Sequence, residues 1–251
     1  MAFHFQIGEI SRFFDVPAAT LRYWENVGVL NPLKDSENHY REYTIEDLMT
    51  ISDVIFYKNL GLSLKQIRGM EFATPRQHSR MFAEKLSELE EQQKQLQERM
   101  EKLRCHMKAI QIMDELRQNP YLETDIDTDC IVSFDLIERD KLRQYIDNPY
   151  LYSRVQHSDY PEKEQRGLTI PADLTGQFSD SQILWKKQSN RYIAFLMKEE
   201  IADGFPNDLQ KHLQHIQSGH KTGAMISRFL LCAQEDGKVY DFYKTFVEIL
   251  G

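Results

Sequence analysis

Between Phe82 and Ile110 nine residues fall at intervals of 4, 3, 4, 3, 4, 3, 4 and 3: Phe82, Leu86, Leu89, Gln93, Leu96, Met100, Leu103, Met107 and Ile110. All but Gln93 are apolar, and the alternation is a heptad seam sustained over about four repeats. The surrounding stretch, 76–118, contains no Gly and no Pro, and Pro120 ends it, because proline cannot continue a helix and disfavours helix at the residue before it. A helix over that stretch would be roughly 65 Å long at about 1.5 Å per residue. A lone helix of that length cannot bury an apolar stripe by itself. The spacing therefore predicts a long dimerisation coiled-coil helix, with Leu86, Leu89, Leu96, Met100, Leu103, Met107 and Ile110 at the contact between two copies of the chain. Packing of the helix on its own domain is the alternative. Gln93 at a core position would cost stability and help set register.

The seam separates two unlike segments. Before it, short helical signals are dense. Ile7, Ile10, Phe13 and Phe14 recur at helical spacing, which predicts an amphipathic helix. Asp15-Val16 breaks it, and Pro17 suits the first position of a second helix through Ala18-Ala19-Thr20-Leu21-Arg22-Tyr23-Trp24-Glu25, which Gly28 can end. Two short helices joined by about three residues form a helix-turn-helix pattern. Asn31 to Tyr43, with Pro32, Asp35, Ser36 and Asn38 before His39-Tyr40-Arg41-Glu42-Tyr43, reads as a two-stranded hairpin with a polar turn. Thr44-x-x-Asp47 and Ser63-x-x-Gln66 are starts of a third and a fourth helix.

After the seam, strands and helices mix. Cys130 to Phe134, Ile183 to Trp185, Tyr192 to Met197, Met225 to Cys232 and Tyr240 to Leu250 read as strands, and Asp140 to Asp147 and Pro206 to Ile216 as helices. The expectation is a multidomain chain, mainly α with an antiparallel α+β C-terminal domain, divided as 1–75, 76–118 and 121–251.

At these residues the chain resembles the MerR family of transcription activators. Ile7-Gly8-Glu9-Ile10-Ser11 and Thr20 to Leu30 are close to the family's first two helices, His39 to Thr44 resembles its wing, and Leu60 to Ile67 its fourth helix. Trp24 stands where the family commonly has a second tyrosine. The resemblance implies a winged helix-turn-helix over 1–75, an antiparallel dimer coiled coil, double-stranded promoter DNA and RNA polymerase as partners, and a dimer that bends and untwists a palindromic promoter when an aromatic small molecule is bound. A recognition helix of this kind presents Ala18, Ala19 and Thr20 to base edges in the major groove. Arg22 and Tyr23 one turn later, and Arg41 with Tyr40 and Tyr43 in the hairpin, are candidates for phosphate contacts. Core packing is the alternative for Tyr23 and Tyr43, and a solvated surface position for the two arginines.

The stretch from Arg191 to Ile216, continuing to the last strand, is similar to the GyrI-like effector-binding domain of the multidrug-sensing branch of that family. There an aromatic cavity with a buried acid takes lipophilic cations. Phe205 and Tyr240 fall at matching aromatic positions, and Trp185 is a further stacking candidate. Arg228 falls where the acid is expected. If Arg228 faces the cavity, the ligand is anionic or carries a strong acceptor; the alternative is that Arg228 pairs with a carboxylate such as Asp241.

Other chemistry finds little support. Cys105, Cys130 and Cys232 have no metal-ligand spacing, and Cys105 is expected to project outward from the long helix. His212, His215 and His220 cluster without a fourth ligand, and a solvated face is expected. No nucleophile elbow, P-loop or dinucleotide fingerprint occurs. The expectation is a non-enzyme without cofactor or metal; a ligand-independent repressor, or a hydrolase built on the GyrI-like domain, are the alternatives. No apolar run approaches the roughly 18 residues of a membrane span, and no signal peptide is evident, so the sequence reads as cytoplasmic. The net charge of −8 argues against nucleic acid until it is divided. Residues 1–75 carry 7 basic and 10 acidic side chains, 76–120 carry 9 and 8, and 121–251 carry 15 and 21. Most of the excess lies outside the helix-turn-helix, where a few placed cations must make the phosphate contacts.

Overall fold

The computed structural model describes residues 4–34, 40–135 and 137–250, and Asp35, Ser36, Asn38 and His39 of the expected hairpin turn lie outside them. The chain divides into two compact units, Met1–Gln97 and Glu98–Gly251. The division falls inside the long helix rather than at either of its ends.

The helices of the first unit start where the sequence supplies caps. α1 (Ile7–Phe14) stops at Asp15, whose φ of 52° turns the chain out of the helix, a conformation that short polar side chains tolerate. Pro17, expected at the first helical position, instead immediately precedes α2 (Ala18–Asn26). Gly28, at φ 71°, follows that helix's end, as glycine does where a left-handed residue is needed. α3 (Ile45–Asn59) begins at a reciprocal cap: the Thr44 N–H donates to Asp47 Oδ2 at 2.8 Å and the Asp47 N–H donates to Thr44 Oγ1 at 3.3 Å. Ser63 and Gln66 do the same for α4 (Leu64–Met70). Between α2 and α3, β1 (Leu33–Lys34) and β2 (Arg41–Glu42) pair antiparallel, with Leu33 opposite Glu42. Phe5 and Tyr43 add a bridge through two backbone bonds of 2.9 and 3.0 Å. Ile10, Leu21, Trp24, Leu30, Ile51 and Val54 form the buried centre, so Trp24 is a core residue.

α5 (Pro75–Gln118) has Thr74 and Gln77 as its cap, the Thr74 N–H donating to Gln77 Oε1 at 2.7 Å. Within the first unit its Met81 and Phe82 pack on the core, and Phe82 stacks on Tyr57. Within the second unit Ala109, Ile112 and Met113 pack on Leu230, Leu231 and Phe242. The remaining seam residues lie on another face. Leu86, Leu89, Leu96, Met100, Leu103, Met107 and Ile110 are all between 40% and 69% exposed. Cys105, expected to project outward, is half-buried.

Besides the end of α5, the described residues of the second unit form an eight-stranded antiparallel sheet with two further α-helices. Its strands are β3 (Leu122–Thr124), β4 (Cys130–Ser133), β5 (Tyr152–His157), β6 (Tyr160–Ile170), β7 (Ile183–Lys186), β8 (Arg191–Glu200), β9 (Lys221–Glu235) and β10 (Lys238–Leu250). They lie in the order β3-β8-β10-β9-β5-β6-β4-β7. α6 (Arg139–Asp147) precedes a single 3-10 turn, Pro149–Leu151, that leads into β5. α7 (Leu209–Gln217) lays Leu209, Leu213 and Ile216 on one face of the sheet, against Phe195, Met225, Val247 and their neighbours. The sequence pattern does not show β3, β5 or β6. β5 and β6 carry much of the site described next.

Candidate functional site

In the first unit the second helix and the hairpin share one surface. Ala18, Ala19 and Thr20 make the first turn of α2, with Ala19 exposed. Arg22 is exposed and Tyr23 is 57% exposed, while Leu21 and Trp24 on the opposite face are buried. The hairpin is tied to this helix by one carboxylate. Arg41 Nε donates to Glu25 Oε2 at 2.6 Å, and the Tyr43 hydroxyl donates to Glu25 Oε1 at 2.7 Å. Burial and the bond to Glu25 push the Tyr43 hydroxyl well above the usual tyrosine range, so it remains a donor. The bond to Glu25, opposed by partial burial, also raises Arg41.

In the second unit a cavity of about 1060 Å³ opens on one face of the sheet. Its aromatic wall is Phe134, Tyr145, Tyr152, Phe205, Phe229 and Tyr243, and its described lining holds the carboxylates of Asp135, Glu162, Glu164, Glu199 and Asp241 against the guanidinium groups of Arg154 and Arg166. Arg154 Nη1 donates to Glu199 Oε2 and Nη2 to Glu199 Oε1, each at 2.7 Å; Nη2 also donates to the Tyr243 hydroxyl at 2.6 Å and Nη1 to Glu164 at 3.1 Å. Burial works against the charge on Arg154, and these partners outweigh it, so the group stays ionised. Asn207 adds a bond to Glu199. Asp241 is different. It forms no ion pair among the described residues, and burial raises its carboxyl above the usual range, opposed by a hydrogen bond from the Cys232 thiol. A half-buried carboxylate without a cation, beside aromatic rings, is suited to a positively charged aromatic guest.

Comparison with known proteins decides what the first unit is. Residues 5–71 match the MerR HTH family regulatory protein family. They are a MerR-family helix-turn-helix domain. The chain is similar to the HTH-type transcriptional activator TipA of Streptomyces coelicolor, 30% identical over 86 residues, which is 33% of this chain and 34% of TipA. It thus spans about a third of the length of that relative. The Multidrug-efflux transporter 2 regulator of Bacillus subtilis is 26% identical over 209 residues, covering 81% of this chain and 71% of the regulator. Among solved structures, an EcmrR–DNA complex studied by cryo-electron microscopy aligns with 98% of this chain and 100% of its own, at 18% identity and a TM-score of 0.38.

Within the MerR-type domain Ala18, Ala19, Thr20, Arg22 and Tyr23 lie together on α2, and Tyr40, 66% exposed, lies beside Arg41 on the hairpin. Tyr43 does not join them: it is fully buried, its backbone paired with Phe5 and its hydroxyl held by Glu25. Glu25 carries no signal in the sequence that would single it out, although its place on α2 is visible there. Of the expected ligand residues, only Phe205 lines the cavity. Arg228 pairs with Asp127, not with Asp241, at 2.9 Å, and donates to the Tyr150 carbonyl at 3.3 Å. Trp185 packs on Tyr192, and Tyr240 packs in the cluster around Ala109. The reason is strand phase. Arg154 sits opposite Ser227 and Ser153 opposite Arg228, so Arg228 lies one residue out of phase and on the other face of the sheet. Tyr240 precedes the cavity residue Asp241 and is displaced in the same way. His212, expected on a solvated face, stacks on Phe195 and contacts the Tyr121 hydroxyl at 2.7 Å and Asp208 at 3.3 Å. Among the described residues no cluster of His, Cys, Asp and Glu is arranged to hold a metal ion, and no helix is long and apolar enough to cross a membrane.

Proposed function

We propose that this chain is a ligand-responsive, DNA-binding transcription regulator that acts as a homodimer on a palindromic promoter. The observation that carries the reading is the surface of α2 and the hairpin, with a small-residue first turn followed by exposed Arg22 and Tyr23. A small-residue turn lets a helix approach base edges, and the flanking cations and hydroxyl position it on phosphates. The exposed seam of α5 supports pairing with a second copy in an antiparallel coiled coil, which would give two recognition helices and hence a two-fold site. Bending and untwisting such a site costs of order 1–6 kcal/mol, which many phosphate contacts offset. RNA polymerase is then the partner that uses the realigned promoter.

The second unit is the effector domain in this reading, with an arrangement of the GyrI-like type. Its aromatic cavity and the uncompensated Asp241 support an aromatic monocation as effector, because Arg154 and Glu199 neutralise each other and Arg228 lies outside. An effector shifts the dimer between states only through its different affinity for them.

Selection of duplexes from a random-sequence pool tests the reading. The expected result is a palindrome, footprinted symmetrically, with Arg22→Ala weakening all sequences alike and lowering the salt slope. Recovery of no preferred duplex, or Arg22→Ala with unchanged affinity, would overturn it.

A further inference from the structure

The surface proposed to meet DNA has an acid beneath it, Glu25 of α2. Glu25 projects from the recognition helix yet is not a free surface charge, its side chain being 12% exposed. One oxygen takes the Nε of Arg41 and the other takes the hydroxyl of Tyr43. The strand carrying Arg41 is only two residues long, and its partner strand is equally short. So few ladder bonds cannot hold a hairpin at a fixed angle, and isolated two-stranded hairpins are marginal in water. Two further anchors are present: the backbone bridge of Tyr43 to Phe5, and the carboxylate of Glu25. The Glu25 bond uses the inner Nε of Arg41. It does not consume the two terminal amino groups, the donors that form the fork for a phosphate.

We infer that Glu25 is a positioning residue for DNA binding, which locks the hairpin's Arg41 and Tyr43 to the recognition helix so that both elements meet the phosphate backbone as one body. The inference rests on the DNA-binding reading above and goes beyond it, assigning a favourable role to a residue whose charge opposes the ligand. It also accounts for Tyr43: that side chain serves the DNA face from behind, through Glu25, without touching DNA.

The two possible roles of Glu25 predict opposite signs. If Glu25 were only a negative charge near phosphates, Glu25→Gln would tighten DNA binding. As a positioning residue, Glu25→Gln should weaken it about tenfold, and the slope of log affinity against log salt should shrink by about 0.9, the value of one phosphate contact. Arg41→Ala should do the same, and Glu25→Gln combined with Arg41→Ala should be no worse than Arg41→Ala alone. Arg41→Lys gives an independent arm that leaves Glu25 and Tyr43 in place. A lysine ammonium keeps the charge but cannot hold Glu25 through one nitrogen and a phosphate through two others, so Arg41→Lys should behave like Arg41→Ala. Affinity is measured by fluorescence anisotropy on the duplex that wild type selects, with thermal melting to confirm each variant is folded. Wild type that binds while Glu25→Gln and Arg41→Lys bind equally or more tightly overturns the positioning role alone. Wild type that selects no duplex removes the DNA-binding reading and the inference with it.

Discussion

Arg154 and Glu199 form a bidentate ion pair that reaches across two intervening strands, with both N–O distances at 2.7 Å. Arg154 is on β5 and Glu199 on β8, and β10 and β9 lie between them. Both side chains are under a tenth exposed. A buried pair of this kind is expensive to break and adds little net stability, because desolvation offsets most of the attraction. Glu199→Ala should therefore destabilise the second unit by up to about 3–5 kcal/mol, since it leaves a buried guanidinium with Glu164 as its one carboxylate partner among the described residues. Replacing both, as Arg154→Met with Glu199→Leu, should recover most of that loss. Urea unfolding followed by circular dichroism separates the two cases. A double variant as unstable as the single one would mean the pair itself holds the sheet together.

Asp241 sets the pH behaviour of the cavity. Burial raises its carboxyl above the ordinary 3.8, so the folded protein holds this proton more tightly than the unfolded chain does. Its contribution to stability therefore declines as pH rises from the ordinary aspartate range through the raised folded value. Affinity for a cation runs the other way, because the charged carboxylate is the binding form. Titration of rhodamine 6G should show affinity rising across that window in wild type and a flat, weaker response in Asp241→Asn. Unchanged dye affinity in that variant would rule out Asp241 as the counter-charge.

Asp127 behaves in the opposite sense on the other face of the sheet. Burial disfavours its charge, yet Arg228 at 2.9 Å and Lys244 at 2.8 Å outweigh that and hold the carboxyl below the ordinary value. A lowered carboxyl contributes stability above the unfolded value, and that stability is lost as pH falls through the folded one. Asp127→Asn should lower the Tm at neutral pH, and the difference from wild type should shrink as pH falls from the ordinary 3.8 through the lowered folded value. A difference that persists in strong acid would show that shape, not charge, is what the residue supplies.

What could be read beforehand follows from which forces act locally. α3 and α4 begin where Thr44 and Ser63 announce them, because capping joins residues three apart. The hairpin β5–β6 is different. Ser153-Arg154-Val155-Gln156 alternates, but its cavity side is polar, so the hydrophobic period that marks a strand is missing. Arg154 is buried against Glu199, which meets it 45 residues later, and Tyr243, 89 residues later, pairings no local window contains. Arg228 shows a subtler failure: its strand was legible, but which face it took depended on a one-residue phase that only the observed register supplies. In the first unit the places of Arg22 and Tyr23 on the exposed face of α2 followed from helical spacing. The burial of Tyr43 followed from a long-range contact with Glu25, 18 residues away.

The two faces of α5 predict two distinct mutant phenotypes. Leu96 and Leu103 are 58% and 66% exposed, whereas Ala109 is 3% exposed and packs on Leu230 and Phe242. Among the described residues a charge at either exposed position enters no packed core. Leu96→Glu with Leu103→Glu should leave the far-ultraviolet circular dichroism and the Tm of the second unit intact while converting dimers to monomers in sedimentation equilibrium. Those monomers should lose the cooperative binding of a two-fold DNA site and keep weak binding to a half-site. Ala109→Glu should instead lower the Tm of the second unit, because it drives a charge into the packed contact between helix and sheet. A Leu96→Glu, Leu103→Glu protein that sediments as a dimer would show that the seam is not the subunit contact, and the exposed stripe would then need another occupant.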